Sequence, residues 1–270
     1  MISYSILFFA GIAAGFINTL AGGGSALVLP ILILMGVPSM QANATNRVAI
    51  LFQNITGASQ FSKHNKLQVK PFIHIVFAVI IGAIIGSFFA VKMRSAIFDK
   101  ILGVVLIGIV LMMFKPHKTK NRFTKRIPKF LEFIIFLIVG FYGGFIQVGI
   151  GFIFLLTLSL VEELDLVRAN ALKVFMVMSY TFVAVAIFAF SKMIVWKYGI
   201  ILAFGNTIGA YIGVKAAIQK GDKFIRIVMV IAVTLACLKL FGVFELFKNM
   251  KPQINTNLYE KREKILLQSY

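Results

Sequence analysis

Two cations, Arg47 and Lys173, stand in apolar runs of the chain. An ionisable side chain inside an apolar helix is expensive, so it is a functional candidate by default. Arg47 follows Asn43, Thr45 and Asn46, and Lys173 follows Asn170. An anion between the two cations would also meet amide donors. Helix N-termini nearby would add unpaired N–H groups and the positive end of a dipole. The same side chains have a structural use, because a long cation near a helix end snorkels to the headgroups or pairs with other groups. Neither cation is needed to bury a core, so glutamine at either position is expected to spare folding. Asn18 and Gln147 offer amides that donate to an anion or cap freed backbone. Ser25 and Thr45 add hydroxyls, whose commoner role is helix capping. Gly22, Gly23, Gly24, Gly149 and Gly151 supply turn geometry and close backbone approach. These fourteen residues form the candidate substrate-binding set.

Carboxylates are scarce. Glu132 sits at a helix start, and Glu162, Glu163 and Asp165 lie in a turn. A proton relay through buried acids has no obvious residues, so coupling must use the substrate's own protonation, an ion held by backbone carbonyls, or the anion gradient. His64, His74 and His117 are scattered and Cys237 stands alone. Neither a nucleophile–base pair nor a metal cluster is legible, so no catalytic residue, metal or cofactor is expected and the enzyme reading is rejected.

The candidates hang on one stretch, Gly11 to Arg47, which is apolar yet holds three consecutive glycines, two prolines and three asparagines. Met1 to Asn46 carries no charged side chain. Glycine costs about 1 kcal/mol relative to alanine inside a helix, so three in a row predict a break. Broken backbone at membrane depth is tolerated only against protein or a water-filled cavity.

The pattern returns. Gly140, Gly144, Gln147 and Gly151 follow Gly11, Gly15, Asn18 and Gly22 by 129 residues. Ala42-Asn43-Ala44 becomes Ala169-Asn170-Ala171, and Lys70 becomes Lys197, both 127 residues on. At the same spacing, Gly82 and Gly86 match Gly209 and Gly213. Ordered matches over this length predict an internal duplication. Two interrupted apolar segments at matching places in two halves are the best sequence pointer to a transporter binding site.

Composition agrees with a membrane setting. Of 270 residues, 60% are hydrophobic and 14% charged, and the mean hydropathy is +0.94. The net charge of +19 lies in short loops between apolar runs, which suits topology rules and lipid headgroups rather than nucleic acid. No signal peptide is expected, because the N-terminus lacks a basic n-region.

The expected helices are Ile2–Leu20, Ser25–Met35, Met40–Ser62, Pro71–Val91 and Ile101–Phe114, then Phe130–Val148, Phe152–Val161, Val167–Phe190, Lys197–Ala217 and Phe224–Phe244. The fold class is therefore an all-α polytopic membrane protein of two inverted-topology repeats. Each repeat holds a glycine-broken helix or re-entrant hairpin plus about three spanning helices, eight to ten hydrophobic segments in all. The domains are a first repeat (1–114), a basic linker (115–129), a second repeat (130–245) and a polar tail (246–270). The linker holds seven Lys or Arg and no acid, which places it in the cytoplasm. An odd number of crossings per repeat turns the halves opposite ways.

Gly22 to Pro30, the Ala-Asn-Ala element after each break, and the Lys70 and Gly82-xxx-Gly86 region with its second copy together resemble the TauE/SafE family of sulfite and organosulfonate transporters. The resemblance covers about Ser5 to Phe244. It implies transport of a small sulfur-containing or related anion across the bacterial inner membrane, without ATP hydrolysis. One departure concerns the substrate: the family often shows small-Thr-Ser where this chain has Ala44-Thr45-Asn46. The expected function is a permease for such an anion, working by alternating access between the repeats. The alternatives are a non-transporting membrane scaffold or binding subunit and an anion channel. The expected partners are the anion, membrane lipids and a second copy in a homodimer, with no nucleic acid.

Overall fold

The protein was analysed as a computed structural model that describes residues 4–114, 127–162 and 164–240. Residues 115–126 of the basic linker, and the polar tail, lie outside the described residues. Among the described residues the chain is all-helical, as the composition predicts. Its helices are α1 (Tyr4–Leu20), α2 (Ser25–Leu34), α3 (Ser39–Lys63), α4 (Ile73–Lys92), α5 (Ser95–Phe114), α6 (Lys129–Phe145), α7 (Ile150–Val161), α8 (Leu166–Phe190) and α9 (Trp196–Leu240). A single 3-10 turn, Lys70–Phe72, leads into α4.

Among the described residues three segments are long and apolar enough to cross a membrane: Lys70–Lys92, Leu166–Phe190 and Trp196–Ile225. The helix α3 is as long as α8 but much more polar. Its Asn43, Thr45, Asn46, Arg47, Gln53 and Asn54 are all buried, so its polar stripe faces protein. Large apolar side chains such as Phe77, Phe88, Phe182 and Phe204 remain exposed on the outer surface, as lipid contact requires.

Both breaks fold back on themselves. A Cβ at Gly24 would lie 2.9 Å from the Ala14 Cα. In a continuous helix ten residues span about 15 Å, so the chain has reversed. Leu7 of α1 shares a core cluster with Val28 and Leu32 of α2. In the second half Glu162, at the end of α7, sits within electrostatic reach of Glu132 in the first turn of α6. Each half thus opens with a helical hairpin, α1–α2 or α6–α7.

The helices α3 and α8 run antiparallel. Ala44 and Val48 cluster with Ala184 and Phe188, whereas Ala58 and Phe61 cluster with Ala171 and Val174. The hairpins dock on glycine seams. Gly140 and Gly144 of α6 lie against the Val79 and Ala83 carbonyls of α4, while Gly205 and Gly209 of α9 lie against Phe8 and Ile12 of α1. In both seams a side chain would strike backbone, so close helix approach depends on small residues there.

One expected boundary moves. The helix α5 starts at Ser95 rather than Ile101, so Asp99 and Lys100 are helical rather than in a loop. The expected separation of Lys197–Ala217 from Phe224–Phe244 holds: the run α9 is two helices that meet at a kink at Gly221 (φ 65°, ψ −164°). Carboxylates beside these segments hold the starts of α3 and α8. Ser39 at the start of α3 donates to Asp99, and the Leu166 and Val167 N–H groups at the start of α8 donate to Asp222 at 3.1 Å. A carboxylate at a helix N-terminus meets unpaired donors and the positive end of the dipole.

Candidate functional site

The two hairpin tips meet. A Cβ on Gly151 would lie 2.6 Å from the Gly22 Cα, so backbone touches backbone. Gly22 (φ 83°) and Gly149 (φ 73°) turn the chain through the left-handed region that favours glycine. Gly23 is ordinary: a Cβ there would meet nothing within 4 Å.

Beside this contact lies a cavity of about 20 Å³, room for roughly one water. Of the candidate set, Asn18, Gly22, Ser25, Gln147, Gly151 and Lys173 line it. Gln53 and Asn54 complete its polar wall, with Ile50, Ile150 and Val177 as the apolar part. Among the described residues no carboxylate lines it, and Lys173 is its one ionisable side chain.

The polar wall is hydrogen-bonded so that donors are left over. Gln53 Oε1 accepts from Asn18 Nδ2 (3.3 Å) and Asn206 Nδ2 (3.1 Å), which leaves the Gln53 amide N–H groups as its donors. Ser25 Oγ accepts from Asn46 Nδ2 at 3.1 Å, so its own hydrogen is free to turn to the cavity. Asn18 Oδ1 takes the Gly24 N–H at 2.8 Å and pins the first tip. The opening N–H groups of α7, at Ile150 and Gly151, belong to a helix N-terminus and have no intrahelical acceptor.

The two cations grip helix ends. Lys173 Nζ donates to the Asn18 and Thr19 carbonyls, both at 3.0 Å, in the last turn of α1. Arg47 donates to the Gly143 carbonyl (2.9 Å), the Gly144 carbonyl (2.8 Å) and Gln147 Oε1 (2.9 Å), at the end of α6. Each cation comes from the long helix of one half and holds the broken helix of the other. The carbonyls of a last helical turn are short of intrahelical partners and carry the negative end of the dipole, which explains the match. Arg47 is fully buried, with its Cζ 4.9 Å from the Phe188 ring centroid. It does not line the cavity, and neither snorkels.

The other candidates fall outside the cavity. Asn43 Nδ2 donates to the Phe145 carbonyl (3.2 Å), and its Oδ1 accepts from the Gln147 N–H (3.3 Å), so it clamps the second break. Thr45 Oγ1 accepts from the Val195 N–H at 3.0 Å and fixes the approach to α9. Asn46 reaches the cavity only through Ser25. Asn170 is buried with neither amide atom hydrogen-bonded. Gly23, Gly24 and Gly149 shape the turns.

Asn18 and Gln147, matched in sequence, are not matched in place. Asn18 lies in the last turn of α1, whereas Gln147 lies past the end of α6, inside the break. Gln147 Nε2 donates to the Tyr180 hydroxyl at 3.0 Å, linking the cavity to Arg47 and α8. Sequence reasoning missed Gln53, Asn54, Tyr180 and Asn206. The signal was present for the amides, because polar side chains midway along helices of a membrane protein need partners.

Several curated proteins resemble the chain along most of its length. A probable membrane transporter protein of Sinorhizobium is 27% identical over 229 residues, covering 84% of this chain and 88% of its own. One from Haemophilus influenzae is 28% identical, covering 84% and 90%. The probable membrane transporter protein YfcA of Escherichia coli is 25% identical over 237 residues, covering 87% and 88%. No solved structure matches the chain. The model of the sulfite exporter TauE/SafE family matches residues 7–240, and the chain belongs to that family.

Proposed function

We propose that this multi-pass membrane protein is a secondary transporter for a small anion, of the class of sulfur oxyanions and organosulfonates. The observation that supports this reading is the cavity at the meeting of the hairpin tips. Among the described residues its ionisable lining is a single cation with no carboxylate, and Gln53, Ser25 and the first residues of α7, which have donors to spare, line it. Such a wall suits an anion that has shed its water.

The halves act as inverted repeats. Antiparallel α3 and α8, of equal length, are the equivalent helices, and the hairpins enter from opposite sides to touch at Gly22 and Gly151. A cavity of about 20 Å³ is too small for sulfite, so passage needs the hairpins to part. One hairpin parting while the other stays closed is alternating access, with the site fixed at the midplane. The chemistry is carriage, not covalent catalysis.

The test is flux in proteoliposomes across sulfite, sulfate, thiosulfate, sulfonates and carboxylates, with substrate trapped inside to drive counterflow. Counterflow of a sulfur anion is expected. Flux without counterflow would replace the carrier by a channel, and no flux with any anion would leave a non-transporting membrane protein.

A further inference from the structure

The two cations are not equivalent, and the difference lies in what else each can reach. Lys173 Nζ sits on the cavity and on α1 at once, with two of its three donors on the Asn18 and Thr19 carbonyls. Arg47 is fenced from the cavity, with Gln147 taking one of its donors and Phe188 close to its guanidinium. An anion in the cavity therefore competes with helix carbonyls for Lys173 and leaves the bonds of Arg47 intact.

We propose that Lys173 is a substrate-exchanged latch: the anion draws its ammonium off the end of α1 and so frees the α1–α2 hairpin, while Arg47 is a positioning residue that keeps α6 docked throughout. This rests on the anion reading above. The anion offers Lys173 what the carbonyls do not: both sets of hydrogen bonds are charge-assisted through the ammonium, but the anion adds the attraction of a full opposite charge in a low-dielectric setting. Once Nζ leaves, the Asn18 and Thr19 carbonyls lose the cation that ties them to α8, and the Asn18 carbonyl keeps only the Gly22 N–H. Asn18 anchors the turn through both its own carbonyl, which accepts the Gly22 N–H at 3.0 Å, and its Oδ1, which accepts the Gly24 N–H. Loosening Asn18 thus loosens the tip that touches Gly151. The α6 side has no such release, since Asn43 and Arg47 both hold its break from outside the cavity.

The test is hydrogen–deuterium exchange on the full chain in lipid nanodiscs, with and without saturating sodium sulfite, beside calorimetric titration of sulfite. Sulfite is expected to speed exchange at the Ala21, Gly22 and Gly24 amides roughly tenfold or more, the scale of losing a hydrogen bond to a charged group. The Ile146 and Gln147 amides are expected to stay unchanged. Lys173→Met should show the fast exchange at Ala21, Gly22 and Gly24 without sulfite, and no further response to it. Sulfite that binds without speeding those three amides overturns the latch and leaves the transporter reading standing. Equal acceleration at Ile146 and Gln147 also overturns it. Failure of sulfite, sulfate and thiosulfate alike to bind overturns both.

Discussion

Gly22 and Gly151 touch backbone to backbone, each the tip of a helical hairpin from a different half of the chain. Neither glycine can gain a side chain without pushing the hairpins apart, so the contact sets the geometry of everything around the cavity.

The three consecutive glycines are therefore not interchangeable. Gly22→Ala combines a left-handed φ, which costs about 1–2 kcal/mol for an L-residue, with a clash against Gly151. Gly24→Ala strikes the Ala14 carbonyl. Both are expected to lower the melting temperature by several degrees and to abolish flux, whereas Gly23→Ala behaves as wild type. Scanning fluorimetry and proteoliposome flux on the three single variants decide this, and equal effects of all three would contradict it.

Arg47 now reads as a staple of the fold, contrary to the expectation that its replacement spares folding. Arg47→Gln takes the guanidinium from the buried Gly143 carbonyl, at about 1–3 kcal/mol for a stranded acceptor, and leaves the Gly144 carbonyl only the Ser87 hydroxyl at 3.1 Å. Loss of expression or thermal stability is expected, with Arg47→Lys only partly rescuing because a lysine lacks the fork that spans two carbonyls. A stable Arg47→Gln with weakened anion binding would instead put Arg47 at the substrate.

Gln53 tests the sign of the cavity. Gln53→Glu keeps an acceptor for Asn18 and Asn206 but replaces a spare donor by negative charge. The variant should insert and fold, yet lose anion flux by an order of magnitude or more at neutral pH. Flux should return as the medium is acidified and the new carboxyl is protonated. Flux of a cation in place of the anion would point to a different substrate class.

Glu162 predicts a pH effect on stability away from the site. Burial raises its carboxyl above the ordinary range, with the Glu132 charge adding to the shift and His74 opposing it. A raised carboxyl binds its proton more tightly in the folded protein, so its stabilising contribution is present at acid pH and lost as pH rises through the folded value. Glu162→Gln should melt higher than wild type at neutral pH, and the gap should close below the ordinary carboxylate range. Melting curves over pH read this directly, and a variant that melts lower at neutral pH would refute it.

Asp222 tests the start of α8. Asp222→Ala removes the acceptor of two N–H groups at the start of α8 and should cost about 0.5–2 kcal/mol, as a lost N-cap does. Asp222→Asn should recover part of that. A thermal scan of both variants measures it.

The sequence by itself determined the membrane setting, the broken apolar segments and the family resemblance. These are local facts: apolar length, glycine where a helix must stop, and motifs in order. It also picked out Lys173, Asn18, Ser25 and Gln147, because polar groups beside a break stand out against an apolar background. Only the tertiary structure decided what each one does. Arg47 and Lys173 look alike in sequence, but one fills a closed slot at the end of α6 and the other opens on the cavity. Which slot a side chain fills depends on the helix of the other half that packs against it. Gln53 and Asn54 became part of the site for the same reason: α3 turns its polar stripe inward only because α1, α8 and α9 surround it.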